Sequence, residues 1–461
     1  MVNIKRVREV AAGLREEQNL PGLVIGLANG DGPLLSEGFG FADVEYTIAQ
    51  SPNIRHRIGS VTKTMTALCV MALVEEGRLS LDDCIKDLLP DLILHGHGDE
   101  LSVRHLLLHT GGVGEVPNRE LVPRADEIIR SVERRSVSMS ELYPDGLEIE
   151  VAPGTKWSYS NHGYGLLGEV LSRLEGAALN DVMGKRIFEP LEMEDSDVLD
   201  NHDAGLSRCY VRNPGAGLEN LPLTDFFHIC GDSLRAAGGG QSTMQDMLQF
   251  ASALLRDGGG IVSRDTYQHM IEPHWCPDPR LTSQAFGFRR CRRFGRSALA
   301  HAGGMQGWGT MLTVVPSDDV ALVTFTNLTS ADFRSIDSAL LQAALDAPES
   351  TRPDIPIDRL VYAQAPGTYE CLPGLLTNLR VMHDQGRVFI EQHGEGLRMR
   401  SQRGPWRSGV HIRPADEADP TIFYVDVDGP ERAHIVFARD GESRISGIRT
   451  DGIVELVRTP D

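Results

Sequence analysis

The stretch HRIGSVTKTMTALCVMALVEEGRLSLDD, residues 56–83, frames the reading of the whole chain. Val61, Met65, Leu68, Cys69 and Ala72 recur at the steps of one helix face, so the segment predicts a helix buried against a core. Lys63 disturbs that pattern. It falls in the first turn, where unpaired backbone N–H groups make the helix end positive and a carboxylate is the stabilising choice. Ser60 stands three residues earlier, so the two side chains share one face about a turn apart. A positive helix end and a dry surrounding both disfavour the ammonium form. A neutral lysine beside a hydroxyl can take its proton and leave a nucleophile for acyl transfer. The same residues also allow a plainer reading, with Ser60 as an N-cap worth about 1 kcal/mol and Lys63 extended into solvent.

Before this helix, MVNIKRVREVAAGLREEQNLPG predicts an amphipathic helix ended by Pro21 and Gly22, without the apolar centre of a secretory signal; the expected compartment is the cytoplasm. Residues 22–48 alternate apolar runs with Asn-Gly and Asp-Gly turns, which predicts antiparallel strands in a tight hairpin. Helical patterns dominate from 60 to about 200. Strand signals return at 300–327, where PSDD reads as a turn between two runs rich in Val and Thr, and a helix at 331–346 closes the domain. This order predicts an α/β (α+β) fold: an antiparallel sheet with strands from both ends of the domain, flanked by helices, with a helical subdomain.

DAPESTRPDIPIDR, 346–359, reads as a linker. The segments NLRVMHD, RVFIEQH, TIFYVDVDG and HIVFARDGESRISGIR then alternate with period two, the mark of a small all-β barrel or sandwich. The expected division is a first domain at 1–347, a linker at 348–366 and a β-domain at 367–461.

The totals exclude some functions. With 461 residues, 41% hydrophobic and 24% charged, the chain can build two or three cores. Lys+Arg is 45 against Asp+Glu 65, a net charge of -20, which argues against nucleic acid or an anionic membrane as partner. FRRCRRFGR, 288–296, is expected to be a solvated arginine turn between strands. No apolar run approaches a membrane span. The seven cysteines show no CxxC pair, so reduced thiols are expected rather than disulfides or zinc. HGHGD at 95–99 reads as an exposed turn. His105 and His109 stand four apart on a predicted helix, but the Glu of H-E-x-x-H is missing, so neither metal nor cofactor is expected.

Two further clusters carry chemistry. In WSYSNHGYGLLGEVLSRLEG, 157–176, Tyr159 and Asn161 flank Ser160 just before a helix; Asn161 also suits a cap, and Tyr159 packing. In HAGG, 301–304, His301 starts a strand and two glycines let the backbone approach a ligand, although a strand histidine also suits core or surface.

SVTK, YSN and HAG, in this order, resemble the three motifs of the serine β-lactamase and penicillin-binding-protein superfamily: S-x-x-K, Y-x-N, and K-T-G or H-x-G. LSVRHLLLHTGG (101–112), VAPGTKWSYSNHGYGLLGEVL (151–171) and AAGGGQSTMQDMLQFASALL (236–255) are similar to its class C β-lactamase, esterase and D-aminopeptidase branch, and the resemblance spans about 10–345. It implies a β-lactamase/transpeptidase-like fold with Ser60 as acylated nucleophile and Lys63 as base or proton relay. Tyr159 would pass a proton to the leaving group, Asn161 hold a substrate amide or Lys63, and His301 support the tyrosine and the substrate's polar end. Backbone N–H groups of Ser60 and Gly304 would form the oxyanion hole, with Gly303 beside them. His301 replaces the usual lysine of β-lactamases, as in esterase, D-aminopeptidase and cyclising-thioesterase branches. The C-terminal part resembles the lipocalin-like domain attached to some of these enzymes.

The expected function is a serine hydrolase acting on an ester or a small amide or peptide, including one with a D-residue. Two alternatives stay open at this point. One is transfer of the acyl group to an amine, as in a peptide-cyclising thioesterase; the other is a binding or sensing protein without turnover. The expected partners are a small-molecule or short-peptide substrate and further copies of the chain in a homo-oligomer.

Overall fold

The structure, a computed structural model, describes residues 2–114, 138–198, 205–213, 217–221, 234–305, 307–328, 331–349, 353–371, 386–404, 406–427 and 429–459. An eight-stranded antiparallel sheet organises the first three quarters of the chain. Its order is Ser283–Gln284, Arg289–Arg293, Arg296–Met305, Trp308–Val315, Val320–Thr326, Gly22–Asn29, Gly32–Asp43 and Ile48–Ala49. Strands from the two ends of this region meet in the middle, with Leu23 opposite Thr326 and Leu27 opposite Leu322. The Asn29–Gly32 turn makes the expected hairpin, and Pro316–Asp318 forms the turn read from PSDD.

Alternation along the central strand builds two cores. Leu23, Ile25 and Leu27 pack with Val7, Ala11, Ile336 and Leu340 of the helices Ile4–Glu17 and Phe333–Leu345. Val24 and Ala28 face the opposite layer, where the helices Thr62–Glu75 and Met244–Leu255 lie. A strand covered on both faces loses the polar-out half of its pattern, which is why GLVIGLA is apolar throughout. Gly26 makes room for the facing helix: a Cβ there would sit 2.4 Å from Met244 Sδ, and that side chain would have to shift.

The Thr62–Glu75 helix is buried from Thr62 to Leu73, not on the single face its apolar spacing marks. Its threonines enter the core because each hydroxyl has a backbone acceptor: Thr62 donates to Gly59 O at 2.7 Å, Thr64 to Val61 O at 2.7 Å and Thr66 to Ala236 O at 2.7 Å. The helices Val103–Leu107, Met139–Leu142, Asn161–Glu175 and Leu179–Met183 surround it as a helical layer.

After Gly367 the chain forms a closed antiparallel barrel of eight strands, the first, Gly367–Cys371, pairing with both Val388–His393 and the last, Glu455–Arg458. Tyr369, Ile390, Met399, Phe423, Phe437 and Leu456 fill its interior. NLRVMHD lies outside the described residues; the other three segments supply strands. The proline-rich stretch read as linker ends in a short helix, Arg359–Gln364, capped by Asp358, whose Val361 is buried in the barrel core.

The arginine run departs from its expectation of a solvated turn. Arg293 points inward, donating at 2.6 Å to buried Asp337 and at 2.6 Å to Glu431 of the barrel. Arg280 likewise joins Asp278 to Asp419 of the barrel. Arg292 stays exposed, as strand alternation requires. Among the described residues the cysteines are unpaired thiols, no group of His, Cys, Asp and Glu could hold a metal, and no helix is long and apolar enough to cross a membrane.

Candidate active site

The site is built where the Thr62–Glu75 helix begins. Gly59, Ser60 and Val61 form a single tight turn that runs into the helix, and Gly59 takes φ +51°, a left-handed conformation open to glycine. Ser60 is half-buried and does not cap the helix by its side chain. Lys63 is wholly buried. Its Nζ lies 3.2 Å from Ser60 Oγ and donates to Asn161 Oδ1 at 2.8 Å and to the Ala237 carbonyl. It also stands 4.8 Å from the centre of the Tyr159 ring and 5.5 Å from that of Tyr164. The lysine side chain is thus folded inward rather than extended into solvent.

Asn161 is the first residue of its helix, and the cap is its neighbour: Ser160 Oγ accepts from Gly163 N at 3.0 Å. That leaves the Asn161 amide for Lys63. Tyr159, half-buried, precedes the cap.

His301 arrives on the strand next to the nucleophile turn. It is 7% exposed, and its Nδ1 lies 2.9 Å from Ala302 O, a donor geometry that leaves Nε2 as the acceptor nitrogen. Burial, reinforced by the neighbouring charge of Lys63, pushes its pKa down to about 3. The imidazole is neutral near pH 7, so it does not replace the positive charge of a lysine at this position. Behind it the strand packs directly on the turn. A Cβ on Gly303 would meet Ile58 O at 1.9 Å, and one on Gly59 would meet Gly304 N at 2.9 Å. Gly304 has open space in front of it. The turn that carries Ser60 therefore lies directly beside the Gly304 backbone.

Ser60, Lys63 and Asn161 are joined by direct contacts, with Tyr159 against Lys63 and His301 within reach of its charge. Two participants are absent from the sequence reading. The Ala237 carbonyl has no side-chain signature, although AAGGGQ marks a backbone that comes close to the helix: Gly240 N donates to Thr62 Oγ1 at 2.9 Å. The other is His109, whose spacing from His105 places both on one helix; the structure corrects that placement. The helix stops at Leu107, His109 turns left-handed at φ +59°, and its ring packs on Tyr159 with centroids 4.4 Å apart. His105 instead bonds Ser102 at 3.0 Å. HGHGD ends a short strand, Leu94–Gly96, before the exposed His97.

This fold and this arrangement belong to one class. The chain is a member of the beta-lactamase family, whose model matches residues 7–345. It is similar to penicillin-binding protein 4* of Bacillus subtilis, 24% identical over 417 residues that cover 85% of this chain and 88% of that protein. Its fold is that of the octameric penicillin-binding protein homologue from Pyrococcus abyssi, with a TM-score of 0.65, 20% identity, and 99% of this chain and 100% of the other covered. A D-amino acid amidase from Ochrobactrum anthropi, solved with D-phenylalanine, covers 74% of this chain and 98% of its own at a TM-score of 0.61 and 21% identity.

Proposed function

We propose that the protein is a serine hydrolase that forms an acyl-enzyme at Ser60 and releases it to water, acting on an ester or a small amide or peptide. One observation carries the proposal: the fully buried Lys63 amine lies 3.2 Å from Ser60 Oγ. Asn161 Oδ1 and Ala237 O can only accept, so each holds one N–H of Lys63; in the neutral form that acts as base, the lone pair is left to face the Ser60 hydroxyl. Lys63 then takes the serine proton as Oγ bonds to the substrate carbonyl carbon. The oxyanion that forms is held by the backbone N–H groups of Ser60 and Gly304, donors of a kind worth about 3 kcal/mol each. Tyr159 delivers a proton to the leaving alcohol or amine and afterwards takes one from the water that attacks the acyl carbon; as the acyl–Oγ bond then breaks, Lys63 returns its proton to Ser60 Oγ and the acid is released. Neutral His301 accepts at Nε2, orienting the tyrosine or the polar end of the substrate. A D-residue beside the scissile bond belongs to the proposed range, since a D-amino acid amidase shares the fold. We assign the hydrolase to residues 1–347 and the barrel to 367–461, joined through 348–366; no cofactor enters the chemistry. Turnover of 4-nitrophenyl butyrate by wild type and Ser60→Ala tests the reading: the variant should lose at least about 1000-fold in kcat, and full activity in it would remove Ser60 from the reaction.

A further inference from the structure

We propose that His109 is a positioning residue that fixes the Tyr159 ring beside Lys63. This rests on the acyl-enzyme reading above and adds a residue that acts through the tyrosine. His109 is 3% exposed and leaves the preceding helix in a left-handed conformation, φ +59°, which few residues with a side chain adopt. From there it holds the chain on both sides of Tyr159. Its carbonyl accepts from Ser158 N at 2.7 Å, and its Nδ1 accepts from Ser160 N at 3.1 Å. A ring nitrogen that accepts carries no proton, so the imidazole is held as the neutral form protonated on Nε2.

The ring itself lies against the tyrosine. Its centroid is 4.4 Å from that of Tyr159 at an interplanar angle of 32°, 5.0 Å from Tyr164 and 6.0 Å, edge-on, from Trp157. Tyr159 and Tyr164 are the two rings that flank Lys63. Any buried histidine needs its polar atoms satisfied; here the donors that satisfy them are the residues on either side of Tyr159. One that served only to hold the loop would need no stack. Hydrogen bonds and stack converge on the residue between Ser158 and Ser160, whose hydroxyl must sit within proton-transfer reach of the leaving group, where small displacements are costly to rate.

The two roles separate in one substitution. In His109→Asn the Oδ1 atom takes the place of Nδ1 and asparagine tolerates the left-handed backbone, so only the stacked part of the ring is lost. With 4-nitrophenyl butyrate we expect kcat to fall at least about tenfold while KM stays within about twofold, read well below a melting temperature that the lost packing lowers. In a Tyr159→Phe background the same change should cost less than about twofold, because two residues acting through one group do not add. His109→Gln is the second variant, and the same coupling is required of it. Equal losses in both backgrounds, or an unchanged kcat in His109→Asn, would overturn the inference. If Tyr159→Phe turns over like wild type, the underlying mechanism falls with it; if Tyr159→Phe is impaired and His109→Asn is not, only this inference fails.

Discussion

Gly303→Ala gives a severe test of how the strand meets the nucleophile. The added methyl would be centred 1.9 Å from the carbonyl oxygen of Ile58, two residues before Ser60, where real Cβ contacts essentially never fall below 3.0 Å. The partner is backbone, so no side chain can swing away, and strand and turn must part by about 1 Å in a close-packed interior. Overpacking of this kind costs about 1–3 kcal/mol of stability. The effect on rate should be larger in proportion. The displacement separates the backbone of Gly304 from that of Ser60, and misplacement of about 1 Å in reacting geometry costs on the order of 100-fold. The assay is kcat on 4-nitrophenyl butyrate, read with a thermal melt. Gly304→Ala is the stability control: its Cβ meets nothing within 4 Å, so its melting temperature should match wild type. A Gly303→Ala enzyme with both wild-type kcat and wild-type melting would refute the direct packing of strand on turn.

Other expectations follow from single residues. Lys63→Arg should be as inactive as Lys63→Ala, since arginine stays protonated and cannot take the serine proton, and kcat/KM of wild type should fall as pH is lowered; recovery of rate in the arginine variant would exclude lysine as base. His56 and His301 are both buried, with pKa values pushed down to about 3 chiefly by loss of hydration. Below pH 6.5 the unfolded chain binds protons that the folded chain refuses, so their stabilisation is full above pH 6.5 and is lost as pH falls toward 3. At pH 5 each should cost up to about 2 kcal/mol, and urea unfolding of His56→Leu should depend less steeply on pH than wild type. Removing the inward arginine in Arg293→Ala leaves the buried Asp337 carboxylate without its cation, held by the Thr313 hydroxyl, and takes the same cation from Glu431; the loss should be about 3–5 kcal/mol, read as a lower urea midpoint, and restored in part by adding Asp337→Asn.

What the sequence disclosed follows from where information is stored. Apolar runs broken by Asn-Gly and Asp-Gly turns carried the hairpin at 22–48, and period-two alternation carried the barrel strands, because those patterns are written in adjacent side chains. Ser60 and Lys63 were legible as a pair for the same reason: helical spacing is local. The depth of the Thr62–Glu75 helix was not, since a threonine becomes a core residue only when a backbone carbonyl such as Ala236 O, brought from far along the chain, satisfies it. Ala237 belongs to the same category, a main-chain oxygen that residue type cannot mark. His109 misled because the helical period was carried two residues too far; its left-handed backbone, followed by Thr110, Gly111 and Gly112, is the turn signal that ends the helix. Arg293 reads as surface in a run of arginines, and only the arrival of Asp337 and Glu431 from later in the chain makes its burial tolerable.

The most direct test of the whole account is the mass of the protein caught during turnover. Quenched in acid within the first turnovers of 4-nitrophenyl butyrate, or treated with an alkyl phosphonate ester, the chain should gain a single acyl or phosphonyl group. Peptide mapping should place it on Ser60, and Ser60→Ala should remain unmodified. A modified Ser60→Ala chain, or a group carried by any other residue of the wild type, would contradict the claim that this serine, beside the buried amine of Lys63, is the nucleophile.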